Sequence, residues 1–485
     1  MSSRKWLTGY CLIVTIPLIL IAVWVIKTDP YFHFHKPDTS NYYYTLNKER
    51  FQNDGILRNF EYDGIITGTS MAENFKTSDA ELFFGGTFVK VPYEGAYFQE
   101  IDRELRVALK HNRDLKIIIR GLDMNRFRAD KDQTKKTVYD FPEYLYNDNP
   151  FDDVEYLFNR NVVFEDCYEM TSDRLSDGFT PGITSFDDYR NWMKNYNFGY
   201  ESVLGEGTQE TDFKRAQPDL SEKEKENVRA NVRQNITDLA REYPDVDFYI
   251  FFTPYSVVWW QKQINDGNFN KQIQAERIVI EEMLQVSNIK LYSFNNLTDI
   301  TTDLNNYKDD IHYGDWINSL MLSYMSSGTC LLSEDNYQDY LKSEEEFYGS
   351  LNYDRCYLYQ KDYRKDYLAA AVLNEEIYGV EPYIVSEPKP EGNKYVLTID
   401  DVSAYKYIVC KEAVSEGTNT ISIYDGSGTL LFEESRIAQS GFTGSQHIID
   451  IERFEGQMEI VFTGEYIESS LTGEKRFVYS EIAVY

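Results

Sequence analysis

Short apolar runs alternate along the chain with segments in which apolar residues recur at helical spacing. The runs typical of buried strands cover residues 64–67, 115–119, 246–252 and 289–294. Helical patterns cover residues 98–109, 228–239, 273–286 and 316–325, and an S-x-x-E capping box at Ser221 and Glu224 opens the second of these. Strands separated by amphipathic helices predict an α/β domain whose parallel sheet carries helices on both faces.

Functional sites in parallel sheets form at the carboxyl ends of the strands. The turns that follow Thr67, Ile119, Phe252 and Phe294 are therefore the places where we expect chemistry. Because these ends all meet at one edge of the sheet, residues far apart in sequence are predicted to come together there.

The N-terminal apolar run differs from the others in length. Residues 6–26 carry no charge and would form a helix about 31 Å long at ~1.5 Å per residue, enough to cross a bilayer. Arg4 and Lys5 precede it, which favours a cytoplasmic N-terminus. A cleaved signal peptide is the alternative, but no small-x-small cleavage site follows the run. We expect an uncleaved single-pass anchor in the plasma membrane over residues 1–27, with an extracellular remainder that begins with a juxtamembrane stalk over 28–60.

Three further units follow the stalk. The α/β domain is predicted over residues 61–345, and its pattern breaks over residues 126–215, an insertion that either covers the site or is a structural excursion. Residues 346–393 are a connector that ends in a Pro-rich linker. Residues 394–485 alternate with period two around an Asp-Gly-Ser-Gly turn, which predicts an all-β sandwich module for packing or for carbohydrate binding.

Composition excludes several classes of function. A formal net charge of −31 repels nucleic acid and anionic lipid, so phosphate-backbone binding is disfavoured. The five cysteines have no paired spacing and are expected to be structural thiols rather than disulfides or zinc ligands. No H-E-x-x-H, Walker or Gly-rich dinucleotide motif is present, so we expect neither a metal nor a cofactor.

Two short motifs carry the candidate chemistry. Asp309 lies three residues before His312, a spacing that lets a carboxylate fold back to the imidazole and fix its tautomer. Ser70 follows Gly68 and Thr69 at the end of the first predicted strand, where a tight turn can project a hydroxyl. A helix-capping serine is the alternative interpretation of Ser70 alone. The late Asp-x-x-His in an α/β chain favours a nucleophile instead.

These motifs resemble the first and last blocks of the SGNH/GDSL hydrolase superfamily. The likeness is strongest to membrane-anchored proteins of Gram-positive bacteria that modify surface polysaccharide or teichoic acid, which also carry an aromatic, His-rich stretch after the anchor, here residues 29–37. The resemblance covers residues 28–345 and implies a flavodoxin-like, three-layer α/β/α fold. It also implies that Ser70 attacks an acyl carbon, that His312 takes its proton, and that Asp309 orients His312, with Asp310 as the adjacent alternative.

The resemblance further implies an oxyanion hole made of the nucleophile's amide, a glycine amide and an Asn side chain. Here these would be Ser70, Gly95 and Asn125, with Gly85 and Gly86 as alternatives to Gly95. In this family the third block reads G-x-N-D.

This chain departs from that block, because Asp123 stands where the family has Asn. A carboxylate aimed at an oxyanion would repel it. Three outcomes are open: Asp123 has another role, Asn125 substitutes for it, or catalysis is weakened. Asp123 and Tyr255, which follows the third predicted strand, are expected to line the cleft, whereas Ser256 lacks a glycine turn and a local base.

The resulting hypothesis is a cell-surface serine acyl-ester enzyme, an esterase or O-acyltransferase. It would transfer or remove acyl groups, such as acetyl, on a surface polysaccharide or teichoic acid. An integral-membrane protein that donates acyl groups is the partner that such a tethered transferase implies. The alternative is a catalytically weak or inactive SGNH-like scaffold that binds glycan in a cell-envelope complex. A secreted lipase is a third option, but no G-x-S-x-G motif is present.

Overall fold

The computed structural model describes most of the chain. The described residues are 3–135, 141–205, 210–354, 356–357, 384–386, 393–405, 407–412, 418–437, 446–451, 454–464, 466–468, 475–477 and 479–484. The predicted Pro-rich linker, except for its last residue, lies outside these ranges. The helices are α1 (Ser3–Thr28), α2 (Glu49–Asn59), α3 (Thr77–Phe84), α4 (Phe98–His111), α5 (Val154–Leu157), α6 (Tyr168–Arg174), α7 (Tyr200–Leu204), α8 (Glu222–Val232), α9 (Asp238–Glu242), α10 (Val257–Asn265), α11 (Phe269–Leu284), α12 (Thr298–Thr302), α13 (Asp315–Ser327) and α14 (Tyr337–Ser350).

The strands of the first 350 residues are β1 (Tyr43–Tyr44), β2 (Gly64–Gly68), β3 (Phe88–Pro92), β4 (Ile117–Leu122), β5 (Gly182–Ile183), β6 (Asp247–Phe252) and β7 (Ile289–Ser293). Five of them form one sheet in the order β3-β2-β4-β6-β7, and every pair in it is parallel. Nearly every residue of these strands is buried, which explains why they appear in the sequence as unbroken apolar runs. The predicted parallel α/β sheet is confirmed.

Helices cover both faces of this sheet. Right-handed crossovers place α3 on one face and α4, α8 and α11 on the other. The helix contacts divide in the same way, because α3 packs on α13, whereas α2 packs on α4 and α8 packs on α11. The predicted capping box is present, since the Ser221 hydroxyl accepts from the Glu224 amide and the Glu224 carboxylate accepts from the Ser221 amide.

The N-terminal helix α1 is long and apolar enough to cross a membrane. The stretch Lys5–Thr28 has 24 residues, its most apolar 18-residue window has a mean hydropathy of 2.5, and its middle is exposed. The segment that follows is not a stalk. Thr28 and Asp29 are buried, and α2 packs Ile56 and Leu57 into the core, so residues 28–60 belong to the folded domain.

The C-terminal module consists of antiparallel strands. These are β8 (Ile384–Ser386), β9 (Lys394–Ile399), β10 (Tyr407–Glu412), β11 (Thr418–Asp425), β12 (Leu430–Ile437), β13 (Gln446–Asp450), β14 (Met458–Thr463), β15 (Tyr466–Glu468), β16 (Lys475–Phe477) and β17 (Tyr479–Val484). Two four-stranded sheets have the orders β13-β10-β17-β8 and β12-β11-β14-β9. Alternate residues such as Ile421, Ile423 and Ile460 are buried, as the period-two pattern predicts.

Candidate active site

Ser70 lies on a sharp turn at the carboxyl end of β2. Gly68 ends the strand with φ +155°, and a Cβ there would lie 3.2 Å from the Ala72 Cβ and 3.4 Å from the Gly121 carbonyl oxygen. A side chain at this position would therefore crowd the turn against the neighbouring strand. Thr69 caps the 3-10 turn Ser70–Ala72, since its hydroxyl accepts from the Met71 amide. The Ser70 hydroxyl is therefore not the cap of this turn.

The Ser70, His312 and Asp309 side chains form a continuous hydrogen-bonded chain. The Ser70 Oγ lies 2.8 Å from the His312 Nε2, and the His312 Nδ1 lies 2.8 Å from the Asp309 Oδ2. A carboxylate only accepts, so Nδ1 carries the proton and Nε2 is free to accept from the Ser70 hydroxyl. Residues 242 positions apart are thus brought together at the carboxyl edge of the sheet.

Asp309 is held as an anion in the geometry that orients the imidazole. Its Oδ1 also accepts from the backbone amides of Ile311, at 3.0 Å, and His312, at 2.8 Å. Burial acts to raise the pKa of Asp309, but the hydrogen bonds from His312 and these amides outweigh it, so the pKa lies below its ordinary value.

Asp310, the alternative partner of His312, points elsewhere. Its carboxylate pairs with the Lys262 ammonium at 2.9 Å, and its carbonyl oxygen accepts from the Ser256 hydroxyl at 2.8 Å. Ser256 caps α10. Asp310 and Ser256 therefore tie the histidine loop to α10 and take no part in the chain of hydrogen bonds at Ser70.

Asp123 is buried with both carboxylate oxygens occupied. One accepts from the Thr69 hydroxyl, and the other accepts from the Tyr255 hydroxyl at 2.6 Å. Burial, and then the Asp123 charge, raise the pKa of Tyr255 well above its ordinary value, so Tyr255 remains a donor. Asp123 and Tyr255 were expected to line the cleft, and both side chains are buried. Their place in the structure matches the first of the three outcomes: Asp123 positions the residue that precedes Ser70.

The predicted oxyanion donors lie at the same edge of the sheet as Ser70. Gly95 follows β3, and Asn125 lies exposed in a 3-10 turn after β4, the two strands that flank β2. Gly95 has φ +64°, and its carbonyl oxygen accepts from Arg126 at 3.4 Å. Among the described residues no hydrogen bond joins Ser70 to Gly95 or Asn125.

The alternatives Gly85 and Gly86 do not fit the site. Both lie between α3 and the first residue of β3, and β3 runs parallel to β2. They therefore lie at the amino edge of the sheet, a full strand length from Ser70. Five residues at ~3.3 Å each separate that edge from the carboxyl edge, so neither amide can reach an oxyanion there.

The insertion covers one side of the histidine. The Trp192 ring meets the His312 ring edge to face, with centroids 5.7 Å apart, and the Trp192 amide donates to Asn74 at 3.1 Å. The Lys308 ammonium lies 3.8 Å from the Trp192 ring centre and 3.7 Å from that of Tyr196. Sequence patterns did not identify Trp192 and Tyr196, because the insertion has no periodicity.

No metal site accompanies this arrangement in the part of the chain that the structure describes, since no group of three or more His, Cys, Asp or Glu side chains is placed to hold an ion there. No disulfide joins any of the five cysteines in the part of the chain that the structure describes. The side chains that lie in line at this edge are a hydroxyl, an imidazole and a carboxylate. Comparisons of the chain with protein-family models, with curated proteins and with solved structures find no match.

Proposed function

We propose that this chain is a membrane-anchored serine acyl-ester enzyme of the SGNH type, acting on a cell-surface polysaccharide or related glycopolymer. The observation that carries the proposal is the unbroken chain from Ser70 through His312 to Asp309. A serine, an imidazole and a carboxylate in this order are the parts needed to activate a hydroxyl for acyl transfer.

The sheet topology supports the same assignment. The five strands of the sheet can be numbered 1 to 5 by their order along the chain, so that β2 is strand 1 and β7 is strand 5. Their spatial order across the sheet is then 2-1-3-4-5, which is the order of flavodoxin-like doubly wound sheets. In such sheets ligands bind where the strand order reverses, between the first and third strands. Ser70 follows β2, the first strand, and Asp123 follows β4, the third.

In the proposed reaction the Ser70 hydroxyl gives its proton to the His312 Nε2 as its oxygen attacks the acyl carbon. The bond to the leaving alcohol then breaks, and His312 returns the proton to that oxygen, which leaves an acylated Ser70. A second hydroxyl, from water in an esterase or from a glycan in a transferase, loses its proton to His312 as its oxygen attacks the acyl carbon. The bond from that carbon to the Ser70 Oγ then breaks, and His312 returns the proton to Ser70, which regenerates the free hydroxyl. Asp309 stabilises the imidazolium in both halves.

The anchor and the charge support a role at the cell surface. With α1 in the plasma membrane and its N-terminus in the cytoplasm, the active site faces outward, where a glycopolymer or an integral-membrane acyl donor can reach it. The net charge of −31 opposes nucleic-acid binding.

A fluorophosphonate probe tests the proposal, because it reacts only with an activated serine. The full-length protein in detergent is labelled as wild type, as Ser70→Ala and as Ser323→Ala, a matched control at a buried serine outside the triad. We expect labelling and p-nitrophenyl acetate hydrolysis in the wild type and the control, and neither in Ser70→Ala. A wild-type protein that takes no label would favour the non-catalytic glycan-binding scaffold. Equal labelling of Ser70→Ala would overturn the assignment of the nucleophile.

A further inference from the structure

The anchor helix does not end freely but packs against the insertion. The Trp24 indole donates to the Thr171 hydroxyl at 2.9 Å, and the Thr28 hydroxyl donates to the Cys167 sulfur at 3.0 Å. Val25, between them, is fully buried. The helical segment Val162–Arg174 therefore lies beside the last two turns of α1.

The chain just after the helix is held equally firmly. The Asp29 carboxylate is buried and accepts from the amides of Phe34, at 2.8 Å, and His35, at 3.0 Å, and from the Tyr156 hydroxyl at 2.9 Å. Tyr31 donates to Asp166 at 2.7 Å. These bonds join α1 and the insertion into one unit. If α1 spans a membrane, its position therefore fixes how deep the insertion lies relative to that membrane.

The same part of the insertion exposes large apolar side chains. They form a surface that we call the collar, made of Phe151, Val154, Phe158, Phe164, Tyr168 and Leu175. Val154 and Phe158 are four residues apart, as are Phe164 and Tyr168, so each pair shares one face of a helical segment.

The collar is unusual within this molecule. Phe151 is 85% exposed, Leu175 81%, Phe164 68% and Tyr168 62%. No other large hydrophobic side chain outside α1 in the described residues is more than 53% exposed. A group of exposed apolar side chains of this size, all within residues 151–175, marks a surface that something covers.

We propose that the collar lies in the outer-leaflet interface of the bilayer that α1 spans, with its apolar side chains at the boundary between headgroups and acyl chains. The inference rests on the proposed membrane anchor. A helix of 24 residues is about 36 Å long at ~1.5 Å per residue, longer than a hydrocarbon core of about 30 Å. Its last turns, to which the insertion is bound, therefore reach the headgroup level.

Charge identifies the kind of lipid. Residues 151–175 contain seven Asp or Glu and two Arg, a net charge of −5, so anionic headgroups repel this segment. The collar therefore inserts by apolar burial into zwitterionic phospholipid, as interfacial helices do to a depth of roughly 5–10 Å. Together with the anchor it holds the domain in one orientation above the membrane.

The test measures how deep a fluorescent side chain lies in the bilayer. It uses the full-length protein, reconstituted in phosphatidylcholine vesicles. An environment-sensitive fluorescent amino acid replaces Phe164 in one sample and Phe213, which is exposed but contacts Tyr353, in a matched control. We expect blue-shifted emission at position 164 and loss of roughly half its intensity when the lipid chains carry bromine, with neither at position 213. Adding anionic lipid should not increase the quenching.

A third probe at Ile13, in the exposed middle of α1, separates the two proposals. Quenching at position 13 with none at position 164 would overturn the collar inference and leave the anchor standing, and a protein partner or a second copy would then be what covers the collar. No quenching at either position would overturn the anchor and the collar together. Fluorophosphonate labelling of the same vesicles reports on Ser70 independently of both.

Discussion

Replacing Asp309 by Asn tests whether the observed hydrogen bonds perform the proposed chemistry. Asp309 accepts from the His312 Nδ1 and from two backbone amides. Its carboxylate therefore fixes both the backbone conformation of the loop and the tautomer of His312. An Asn side chain offers one acceptor oxygen and one donor amide. With the oxygen on the backbone amides, the donor faces Nδ1, and the imidazole must carry its proton on Nε2. That nitrogen can then no longer accept from Ser70.

The size of the expected loss in turnover depends on how exposed the Asp309 side chain is. In a fully buried triad the loss of the correct tautomer costs roughly 10⁴-fold in kcat. The Asp309 side chain is 40% exposed, so water can partly replace its charge. We therefore expect a loss of roughly 10² to 10⁴-fold, about 3–5 kcal/mol of transition-state stabilisation.

The assay compares Asp309→Asn with Asp310→Asn, the same change at the next residue. Turnover of p-nitrophenyl acetate is measured for both, with thermal unfolding to confirm that each variant folds. We expect Asp310→Asn to retain wild-type turnover within a few-fold and to lose some stability, because only its pair with Lys262 is weakened. Equal effects of the two substitutions on turnover would refute the assignment of Asp309.

Two further predictions concern buried carboxylates. Asp123→Asn should lower turnover and cost about 1–3 kcal/mol of stability, because Thr69 or Tyr255 loses its acceptor; a faster variant would show that Asp123 faces the oxyanion. Burial raises the pKa of Glu276 to about 7 and that of Glu344 well above its ordinary value. Since the folded state holds both protons while the unfolded state releases them, stability should fall as pH rises from about 4.5 through 7, and Glu276 alone contributes on the order of 3 kcal/mol to that fall. Glu344→Gln should flatten that fall in thermal unfolding, and an unchanged slope would contradict it.

Local patterns were sufficient for four of the five strands of the parallel sheet and for parts of the site, but they did not predict β3. The apolar run before Gly68 predicted β2, and the three-residue spacing of Asp309 and His312 predicted their contact, since both depend on neighbours in the chain. The carboxyl-edge rule then indicated that Ser70 would lie near His312.

Other features depend on which surfaces meet, and no local pattern encodes that. The bonds from Thr69 and Tyr255 that occupy the two carboxylate oxygens of Asp123 span 54 and 132 residues. The choice between Asp309 and Asp310 was settled by Lys262, which draws the second carboxylate away.

The sequence by itself determined most strands of the parallel sheet, the long apolar N-terminal helix and the residue types of the site, because these follow from periodicity, length and spacing. Only the tertiary structure decided that residues 28–60 belong to the domain, that Trp192 covers the histidine and that the collar lies beside α1. Those outcomes require long-range packing, in which the same apolar side chain is buried or exposed according to what folds against it.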